Sequence, residues 1–314
     1  MLRVCLILGY LASAFRHFFL RRRSGLFHVL RVEGVSETEI RRAVELALAE
    51  DVGPGDVTSD ATVAATATSR AHMVSRDECV LAGLDVAEAV FLTISPDLDI
   101  RKKAKDGQSL KRDVVLLEVA GSTRAILTAE RVALNFVQRL SGIATLTARY
   151  VEAVRGTKAQ ILDTRKTTPG LRLLEKYAVT CGGGHNHRTG LFDMVLIKDN
   201  HLAALAGEKP NAIHAAVHRG HAKYPQLKIE VEADKLDQVQ QAVDAGADII
   251  LLDNMTVEEL RKAVQLVAGR AKTEASGGIT LETVRAIAET GVDFISAGAL
   301  THSARAVDIA LDLV

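Results

Sequence analysis

The chain has 314 residues, and its 39 Lys plus Arg balance 39 Asp plus Glu, so the formal net charge is zero. This balance excludes nucleic-acid binding driven by a general excess of positive charge. Hydrophobic residues make up 48% and charged residues 25% of the chain, which is typical of a globular protein and not of a disordered or membrane protein. The length predicts two domains.

The charge is unevenly distributed along the chain. Residues 1–31 contain six Arg and no acidic residue, which leaves 33 Lys plus Arg against 39 Asp plus Glu in the rest. The apolar run 4–15 is similar to the core of a signal peptide and is too short to span a bilayer, whereas the Arg-rich composition also fits a transit peptide. A third interpretation is a start codon assigned too early. We therefore treat residues 1–32 as an atypical N-terminal extension.

The cysteines indicate the redox compartment. Cys5, Cys79 and Cys181 are sparse and show no short-range pairing pattern. A disulfide framework is therefore not expected, and a reducing compartment follows. We expect a cytoplasmic protein, with a transit or signal segment as the alternative.

The first elements predict a small domain of helices and short strands. Ser36 and Glu39 have the spacing of a capping box at the start of an amphipathic helix. Residues 52–70 are rich in Gly, Thr and Asp and predict a long connection. Between residues 70 and 128, short apolar runs alternate with turn signals and one helical stretch near Leu84 to Leu92.

A long helical pattern from about Thr128 to Val154 leads into a second half with a regular alternation. Six apolar runs are each followed by a helical pattern, which predicts a parallel α/β sheet covered on its faces. The runs are QILDT, DMVLIKD, LKIEVEA, DIILLDN, AKTEASGG and DFISAG. Six units are too few for a complete eight-unit barrel and favour a shortened or open one. A doubly wound sheet is the alternative, but its GxGxxG motif is absent.

Polar residues follow every one of these six runs. Parallel α/β folds place their active sites at the carboxyl ends of the strands, so these groups are expected to share one mouth. They are Arg165, Lys166, Lys198, Asp199, Asn200, Glu230, Glu232, Asp253, Asn254, Glu274, Ser276, Gly277, Gly278, Ser296 and Gly298. Glu230 and Glu232 lie two apart on one strand and face the same side, where they need cationic partners.

A concentration of cations around this mouth predicts a ligand with several carboxylate or phosphate groups. The cations are Arg165, Lys166, Arg172, His185, His187, Arg188 and Lys198. The Gly-rich strings ASGG and SAG fit a phosphate held by backbone amides. Glu232 and Asp253 suit Mg²⁺ bridged to phosphates.

Two other chemistries are compatible with parts of this region. Cys181, His185 and His187 could be zinc ligands, although their spacing matches no recognised site and no fourth ligand is near in sequence. Lys198 at a strand end could form a Schiff base.

Several strings, in this order, closely resemble the quinolinate phosphoribosyltransferase family, also called carboxylating nicotinate-nucleotide pyrophosphorylases. They are ERVALNFVQRLSGIAT, DTRKTTPGLRLLEKYAV, GGGHNHRTGLFDMVLIKDNH, IEVEA, ILLDN and EASGGI. The resemblance runs from about Glu39 to the end of the chain. It implies an N-terminal α/β sandwich over residues 33–142, an open α/β barrel of six to seven parallel strands over residues 143–300, and a segment 301–314 that packs on the first domain.

The resemblance also implies the reaction and the site. Quinolinate and phosphoribosyl pyrophosphate would give nicotinate mononucleotide, pyrophosphate and CO2, with Mg²⁺ and no organic cofactor, in NAD biosynthesis. The expected quinolinate ligands are Arg165, Lys166, Thr167, His187, Arg188 and Lys198. The expected ligands of the ribose and of magnesium pyrophosphate are Glu232 and Asp253, which together with Lys166 and Lys198 form the expected catalytic set. The expected cradle of the 5-phosphate is Ser276, Gly277, Gly278, Ser296, Ala297 and Gly298.

The same resemblance implies a homodimer in which Arg131 reaches the site of the neighbouring subunit. The nearest alternatives are a paralogue from molybdate transport loci and a phosphoribosyltransferase for the monocarboxylate nicotinate. The surplus of cations favours a dicarboxylate. An alternative of another class is a phosphate-binding or Schiff-base barrel without pyrophosphate chemistry.

Overall fold

The computed structural model describes residues 34–314, so the predicted extension 1–32 lies outside the described part. The elements up to the long central helix are α1 (Glu37–Val52), α2 (Val57–Thr62), β1 (Thr68–Ser75), β2 (Cys79–Val80), α3 (Leu84–Ile94), β3 (Asp99–Lys102), β4 (Ser109–Leu110), β5 (Val115–Ser122) and α4 (Thr123–Ala153).

The barrel part contributes the remaining elements of the described chain. They are β6 (Gln160–Leu162), α5 (Arg172–Cys181), β7 (Val195–Ile197), α6 (Asp199–Ala203), α7 (Ala212–Lys223), β8 (Ile229–Ala233), α8 (Leu236–Ala245), β9 (Ile249–Asp253), α9 (Val257–Val267), β10 (Lys272–Ser276), α10 (Val284–Ala288), β11 (Phe294–Ser296), α11 (Ala299–His302) and β12 (Ile309–Leu313). Within residues 34–314, no helix has the length and apolar character needed to cross a bilayer.

Local signals explain where the first helices begin. The predicted capping box is confirmed: Ser36 accepts the N–H of Glu39, whose side chain accepts the N–H of Ser36. The predicted connection 52–70 is wrong over Val57–Thr62, because the Asp56 carboxylate accepts the N–H groups of Thr58 and Ser59 and starts a short helix.

The long helix begins earlier than its sequence pattern indicates. The prediction placed its start near Thr128, whereas α4 begins at Thr123, directly after Ser122 ends β5 and accepts the N–H of Ala125. Residues 124–127 (RAIL), one of the short apolar runs noted between residues 70 and 128, therefore belong to the helix and not to a strand. The predicted helix near Leu84 is confirmed as α3.

Around α4 the N-terminal elements form a helical layer and a sheet. Helices α1, α3 and α4 pack together, and an antiparallel sheet in the order β12-β1-β5-β3 lies against α4. The last strand belongs to this sheet, where Ile309 pairs with Ser75 and Leu313 with Ala71. The chain before β12 passes so close to α4 that a Cβ on Gly142 would lie 2.2 Å from the Arg305 carbonyl oxygen.

All six predicted parallel strands are confirmed, and they form one sheet in the order β6-β11-β10-β9-β8-β7. Its two edge strands, β6 and β7, are not paired with each other, so the barrel is open. Beside β6 the chain returns, and His185 exchanges backbone hydrogen bonds with Ile161 and Asp163. Strand β9 is apolar and buried up to Asp253 at its carboxyl end, whereas β8 and β10 also carry the buried acids Glu230 and Glu274 within the strand.

Candidate active site

The register of the sheet brings the strand ends to one edge. Ile197 pairs with Val231, which precedes Glu232 in β8. Asp253 pairs with Ser276, and Ser296 pairs with Leu162, just before the loop that carries Arg165. The sequence-predicted polar residues therefore surround a common mouth.

Opposite charges meet where β7 and β8 end. The Lys198 ammonium donates directly to the Glu232 carboxylate, in a pair that is half-buried. On the next strand, the Asp253 Oδ2 accepts a hydrogen bond of 2.7 Å from the Asn254 side chain. Both acids thus sit at the mouth with oxygen atoms, the ligands that Mg²⁺ prefers.

A glycine turn follows β10. Gly277 and Gly278 have φ angles of 95° and 59°, in the left-handed region that favours glycine. A Cβ on Gly277 would lie 2.1 Å from the Asn254 Oδ1, so the loop after β9 excludes a side chain there.

The backbone N–H groups of this turn and of the residues after β11 differ in whether they have a hydrogen-bond acceptor. Within residues 34–314, the N–H groups of Gly277, Gly278 and Gly298 have no hydrogen-bond acceptor, whereas the Ala297 N–H donates to Leu162. The three unused donors suit an anion such as phosphate. Of the predicted cradle, Ala297 contributes no unused N–H.

The end of β11 also contacts the loop after β6. A Cβ on Gly298 would lie 3.0 Å from the Lys166 Cδ, and the Thr301 hydroxyl donates to the Lys166 carbonyl at 2.7 Å. The Lys166 side chain itself is exposed at the mouth. The predicted lysine and the predicted glycine are therefore neighbours.

Two guanidinium groups of these loops also interact electrostatically. Burial lowers the pKa of Arg188, and the positive charge of Arg165 lowers it further. The Arg165 Nε is buried and has no hydrogen-bond partner in the described chain. Within residues 34–314, the Arg188 guanidinium donates only to the Met194 carbonyl, at 3.4 Å. Like charges held together with unused donors favour an anionic ligand between them.

Helix α5 holds the loops that carry these cations. Its Arg172 donates to the Thr167 hydroxyl and to the Thr189 carbonyl, both at 3.1 Å, and so bridges the two loops. Its Glu175 is fully buried and accepts the Thr168 N–H at 3.0 Å and the Arg139 guanidinium at 2.8 Å.

The next residue of α5, Lys176, serves the second loop. It donates to the Asp163 carboxylate and, at 2.9 Å, to the His187 carbonyl. Asp163 in turn accepts the His187 N–H at 2.9 Å. Burial raises the pKa of Asp163 to about 6 even though Lys176 opposes this shift. We call Arg139, Asp163, Arg172, Glu175 and Lys176 the frame.

Sequence reasoning missed most of the frame. Only Arg172 was among the predicted cations. A signal existed for Asp163, which directly follows an apolar strand, and for Glu175 and Lys176, which interrupt an otherwise apolar string between Leu173 and Tyr177.

A buried acidic pair lies below His187. The His187 Nε2 lies 3.0 Å from the Glu230 Oε2 and 3.6 Å from the Glu274 Oε2. Both acids are at most 1% exposed, and neither Glu230 oxygen has an aligned hydrogen-bond donor in residues 34–314. Burial and the neighbouring Glu230 raise the pKa of Glu274 to about 8. Burial lowers the pKa of His187, but the two acids outweigh it and raise the net value.

This cluster differs from two expectations. Both His187 ring nitrogens have neighbours, since Nδ1 accepts the Arg188 N–H at 2.7 Å, so the ring is not a free donor at the mouth. Among residues 34–314, the group that could hold a metal is His187 with Glu230 and Glu274, and it includes neither Cys181 nor His185. The zinc interpretation of those residues gains no support.

The predicted Arg131 lies elsewhere. It is exposed on α4 and, within the described chain, makes no hydrogen bond or ion pair. In residues 34–314, no hydrogen bond or ion pair joins it to the mouth of its own barrel strands.

Comparisons with known proteins cover both halves of the chain. The family described as quinolinate phosphoribosyl transferase, N-terminal domain, matches residues 56–141, and its C-terminal domain matches residues 143–312. A mitochondrial quinolinate phosphoribosyltransferase [decarboxylating] 2b of Nicotiana tabacum is 43% identical over 291 residues, covering 88% of this chain and 82% of the relative.

Bacterial relatives give the same result in sequence and structure. A probable carboxylating nicotinate-nucleotide pyrophosphorylase of Bacillus subtilis is 40% identical over 279 residues, covering 89% of this chain and 95% of the relative. The solved nicotinate-nucleotide pyrophosphorylase of Francisella tularensis superposes with a TM-score of 0.84 at 40% identity, covering 90% of this chain and 99% of that one.

Proposed function

The chain belongs to the quinolinate phosphoribosyltransferase family, and from this premise we propose how its barrel mouth binds the two substrates. The enzyme transfers the phosphoribosyl group of phosphoribosyl pyrophosphate to quinolinate and decarboxylates it. The products are nicotinate mononucleotide, pyrophosphate and CO2, in NAD biosynthesis. The residues that perform this reaction, the metal and the assembly are our proposals.

Quinolinate binds between the cations of the two loops. The observation that carries this assignment is that the positive charge of Arg165 acts on Arg188 while the buried Arg165 Nε has no hydrogen-bond partner in the described chain. Two carboxylates on adjacent ring carbons offer each guanidinium a planar partner. Lys166 and Lys198 supply further positive charge, and Thr167, held by Arg172, lines the same loop.

Phosphoribosyl pyrophosphate lies across the ends of β8 to β11. Its 5-phosphate accepts the unused amides of Gly277, Gly278 and Gly298 beside the Ser276 and Ser296 side chains. The ribose hydroxyls face Glu232 and Asp253. These two acids also fit Mg²⁺ as oxygen ligands, and the bound metal would neutralise the pyrophosphate charge.

The reaction needs positioning and electrostatics more than proton transfer. As the bond from the anomeric carbon to pyrophosphate breaks, positive charge develops on the ribose, and Glu232 and Asp253 stabilise it. The quinolinate nitrogen then forms the new bond and becomes cationic. The adjacent carboxylate leaves as CO2, its electron pair remains on the ring carbon, and the neighbouring cationic nitrogen stabilises the resulting ylide until it is protonated.

Lys198 has two anionic partners in this scheme. In the structure it donates to Glu232, whereas bound quinolinate offers it a carboxylate. A lysine whose amino group donates to a carboxylate is held away from a carbonyl substrate and is therefore a poor Schiff-base nucleophile. Borohydride treatment with a carbonyl compound is therefore expected to leave no adduct on Lys198.

The central test is PRPP-dependent release of CO2 from quinolinate. Arg188→Ala and Lys198→Ala are expected to lower this turnover by roughly 100-fold or more, because each removes a charged partner of a substrate carboxylate. Arg261→Ala, an exposed arginine on α9, is the matched control and should retain wild-type turnover. Wild-type rates in both mouth variants would refute the quinolinate site.

We further propose a homodimer in which Arg131 reaches the partner's mouth. Its exposure and lack of partners in the described chain support this role. Mixing inactive Arg131→Ala with inactive Lys198→Ala should restore part of the activity, because hybrid dimers contain one intact site. No recovery despite demonstrated subunit exchange would contradict a shared site.

The place of action is proposed to be the cytoplasm. The sparse cysteines support it, and no disulfide links Cys79 to Cys181. The tobacco relative is by contrast named mitochondrial. Cell fractionation with N-terminal mass spectrometry of the native protein distinguishes the two places and defines the mature start.

A further inference from the structure

The buried acids Glu230 and Glu274 are not assigned to substrate binding in the proposal above, although Glu274 interacts with the Ser296 side chain at the end of β11. They lie inside the barrel, at 0% and 1% exposure. Burying two carboxylates together is costly, and apolar residues would pack there more favourably. Their retention at the base of the mouth calls for a function.

Their common neighbour is the His187 ring, and every polar group of His187 is in use. Its N–H donates to Asp163, its carbonyl accepts from Lys176, and its Nδ1 accepts the Arg188 N–H. Its Nε2 is left for the two acids. The loop around His187 is therefore fixed from the frame on one side and from the barrel interior on the other.

Arg188 directly follows His187 in the chain, and its side chain extends from this fixed part of the loop toward the mouth. Among the described residues its side chain has a single acceptor, at 3.4 Å, so its direction is set mainly by its backbone. That backbone is tied to the His187 ring through the bond of its N–H to Nδ1. The negative charge of Glu230 also acts on the Arg188 guanidinium and opposes the lowering of its pKa.

We propose that Glu230 and Glu274 are positioning residues for quinolinate: they hold the His187 ring inside the barrel and thereby set the direction in which Arg188 reaches the substrate. The proposal rests on the quinolinate-binding role of Arg188 given above. It assigns His187 to positioning rather than to direct contact with a substrate carboxylate.

The experiment compares Glu230→Gln and Glu274→Gln in the full chain, because glutamine keeps the shape of the side chain and cannot ionise. KM for quinolinate, KM for phosphoribosyl pyrophosphate, kcat and the thermal unfolding midpoint are measured for each variant. Glu258→Gln, an exposed acid on α9, is the matched control and should behave as wild type.

Each variant is expected to raise the quinolinate KM, Glu230→Gln by about tenfold, since a neutral partner replaces a charged one. The KM for phosphoribosyl pyrophosphate should stay within about twofold of wild type on the same basis. The unfolding midpoint should not fall, because glutamine replaces an ionisable group of a buried acidic pair with a neutral one. A quinolinate KM within twofold of wild type in both variants would overturn the proposal, as would a parallel rise of both KM values with a lower midpoint.

A double-mutant cycle tests whether the acids act through Arg188. Arg188→Lys alone should raise the quinolinate KM, and adding Glu230→Gln to it should raise the KM less than the product of the single effects. Fully multiplicative effects would overturn positioning through Arg188 while leaving the quinolinate site intact. A wild-type KM in Arg188→Lys would instead overturn the quinolinate site and, with it, this proposal.

A metal bound by the three side chains would also explain their proximity, and it gives a separate refutation. Elemental analysis is expected to find the same metal content in the purified wild-type chain and in Glu274→Gln. One equivalent of such a metal would assign the acids as ligands and overturn the positioning role.

Discussion

The mouth and the frame use the same residue types in opposite ways. Lys166 at the mouth is exposed, and Arg165 has an unused donor, whereas Lys176 and Arg139 in the frame are committed to Asp163 and Glu175. A cation that is already paired inside the protein cannot also serve a substrate. Cations of the mouth and cations of the frame are thus distinguished by their hydrogen-bond and ion-pair partners and not by their residue type.

The two regions also originate from different elements. Six strand ends and two loops supply the mouth, whereas α5 alone contributes Arg172, Glu175 and Lys176 to the frame. One helix therefore sets the spacing of both cationic loops. The hydrogen bonds and ion pairs of the frame offset the electrostatic repulsion between the like charges at the mouth, so these charges can lie close together.

The largest effect is expected from breaking the frame at its most buried pair. Lys176→Met leaves the Asp163 carboxylate without its cation and should lower the free energy of unfolding by about 3–5 kcal/mol at pH 8. Lys166→Met, at the exposed mouth, should change it by no more than about 0.5 kcal/mol and still abolish turnover. Denaturant unfolding and CO2 release measure both. Equal losses of stability would erase the distinction.

A smaller loss is expected from Glu175→Gln. The substitution weakens the bonds to Arg139 and Thr168 without emptying the space, so we expect a cost of about 1–3 kcal/mol. Because Thr168 follows the mouth residues of its loop, the quinolinate KM should also rise. An unchanged KM together with a lower stability would separate the frame from substrate binding.

The buried acids predict a pH dependence of stability. Glu274 and Asp163 have folded-state pKa values raised to about 8 and about 6, above their ordinary 4.5 and 3.8. Between the ordinary and the raised pKa values, the folded chain therefore binds more protons than the unfolded chain. Their contribution to stability is fully present below pH 4 and is lost as the pH rises through about 6 to 8. His187, with its raised pKa, acts in the same direction.

Glu274→Gln cannot ionise and should flatten this decline in the free energy of unfolding between pH 5 and 8. Urea unfolding of both chains at several pH values measures the difference. Parallel pH profiles for wild type and variant would show that Glu274 does not hold its proton in the folded state.

The smallest effect is expected for the ion pair at the mouth. The Lys198 side chain is 45% exposed, so its bond to Glu232 adds little to stability. Lys198→Gln should change the free energy of unfolding by at most about 1 kcal/mol while lowering turnover strongly. A loss in the free energy of unfolding as large as that of Lys176→Met would show that Lys198 has a structural role like the frame residues.

The sequence predicts the strands and the mouth well because both depend on local patterns. Apolar runs mark all six parallel strands, and the polar residues after them reach one edge through the register of the sheet. The frame depends on tertiary contacts. Arg139 and Glu175 lie 36 positions apart, and nothing in either local string indicates that they meet.

Capping and register explain the remaining differences. The helix α2 arises because Asp56 caps it in a segment whose composition is typical of a loop. The burial of His187 depends on Glu230 and Glu274, which come from two other strands, so its string HNHR cannot distinguish a ring that faces substrate from one that faces the interior.

The pairing of β12 with β1 has a consequence for synthesis of the chain. Arg76 beside β1 and Asp312 in β12 form an ion pair across 236 positions. During translation, the edge of β1 that pairs with β12 therefore stays unpaired until the whole barrel has been synthesised. Until then it is an open template for other strands, and the nascent enzyme should depend on chaperones most while its barrel is being made.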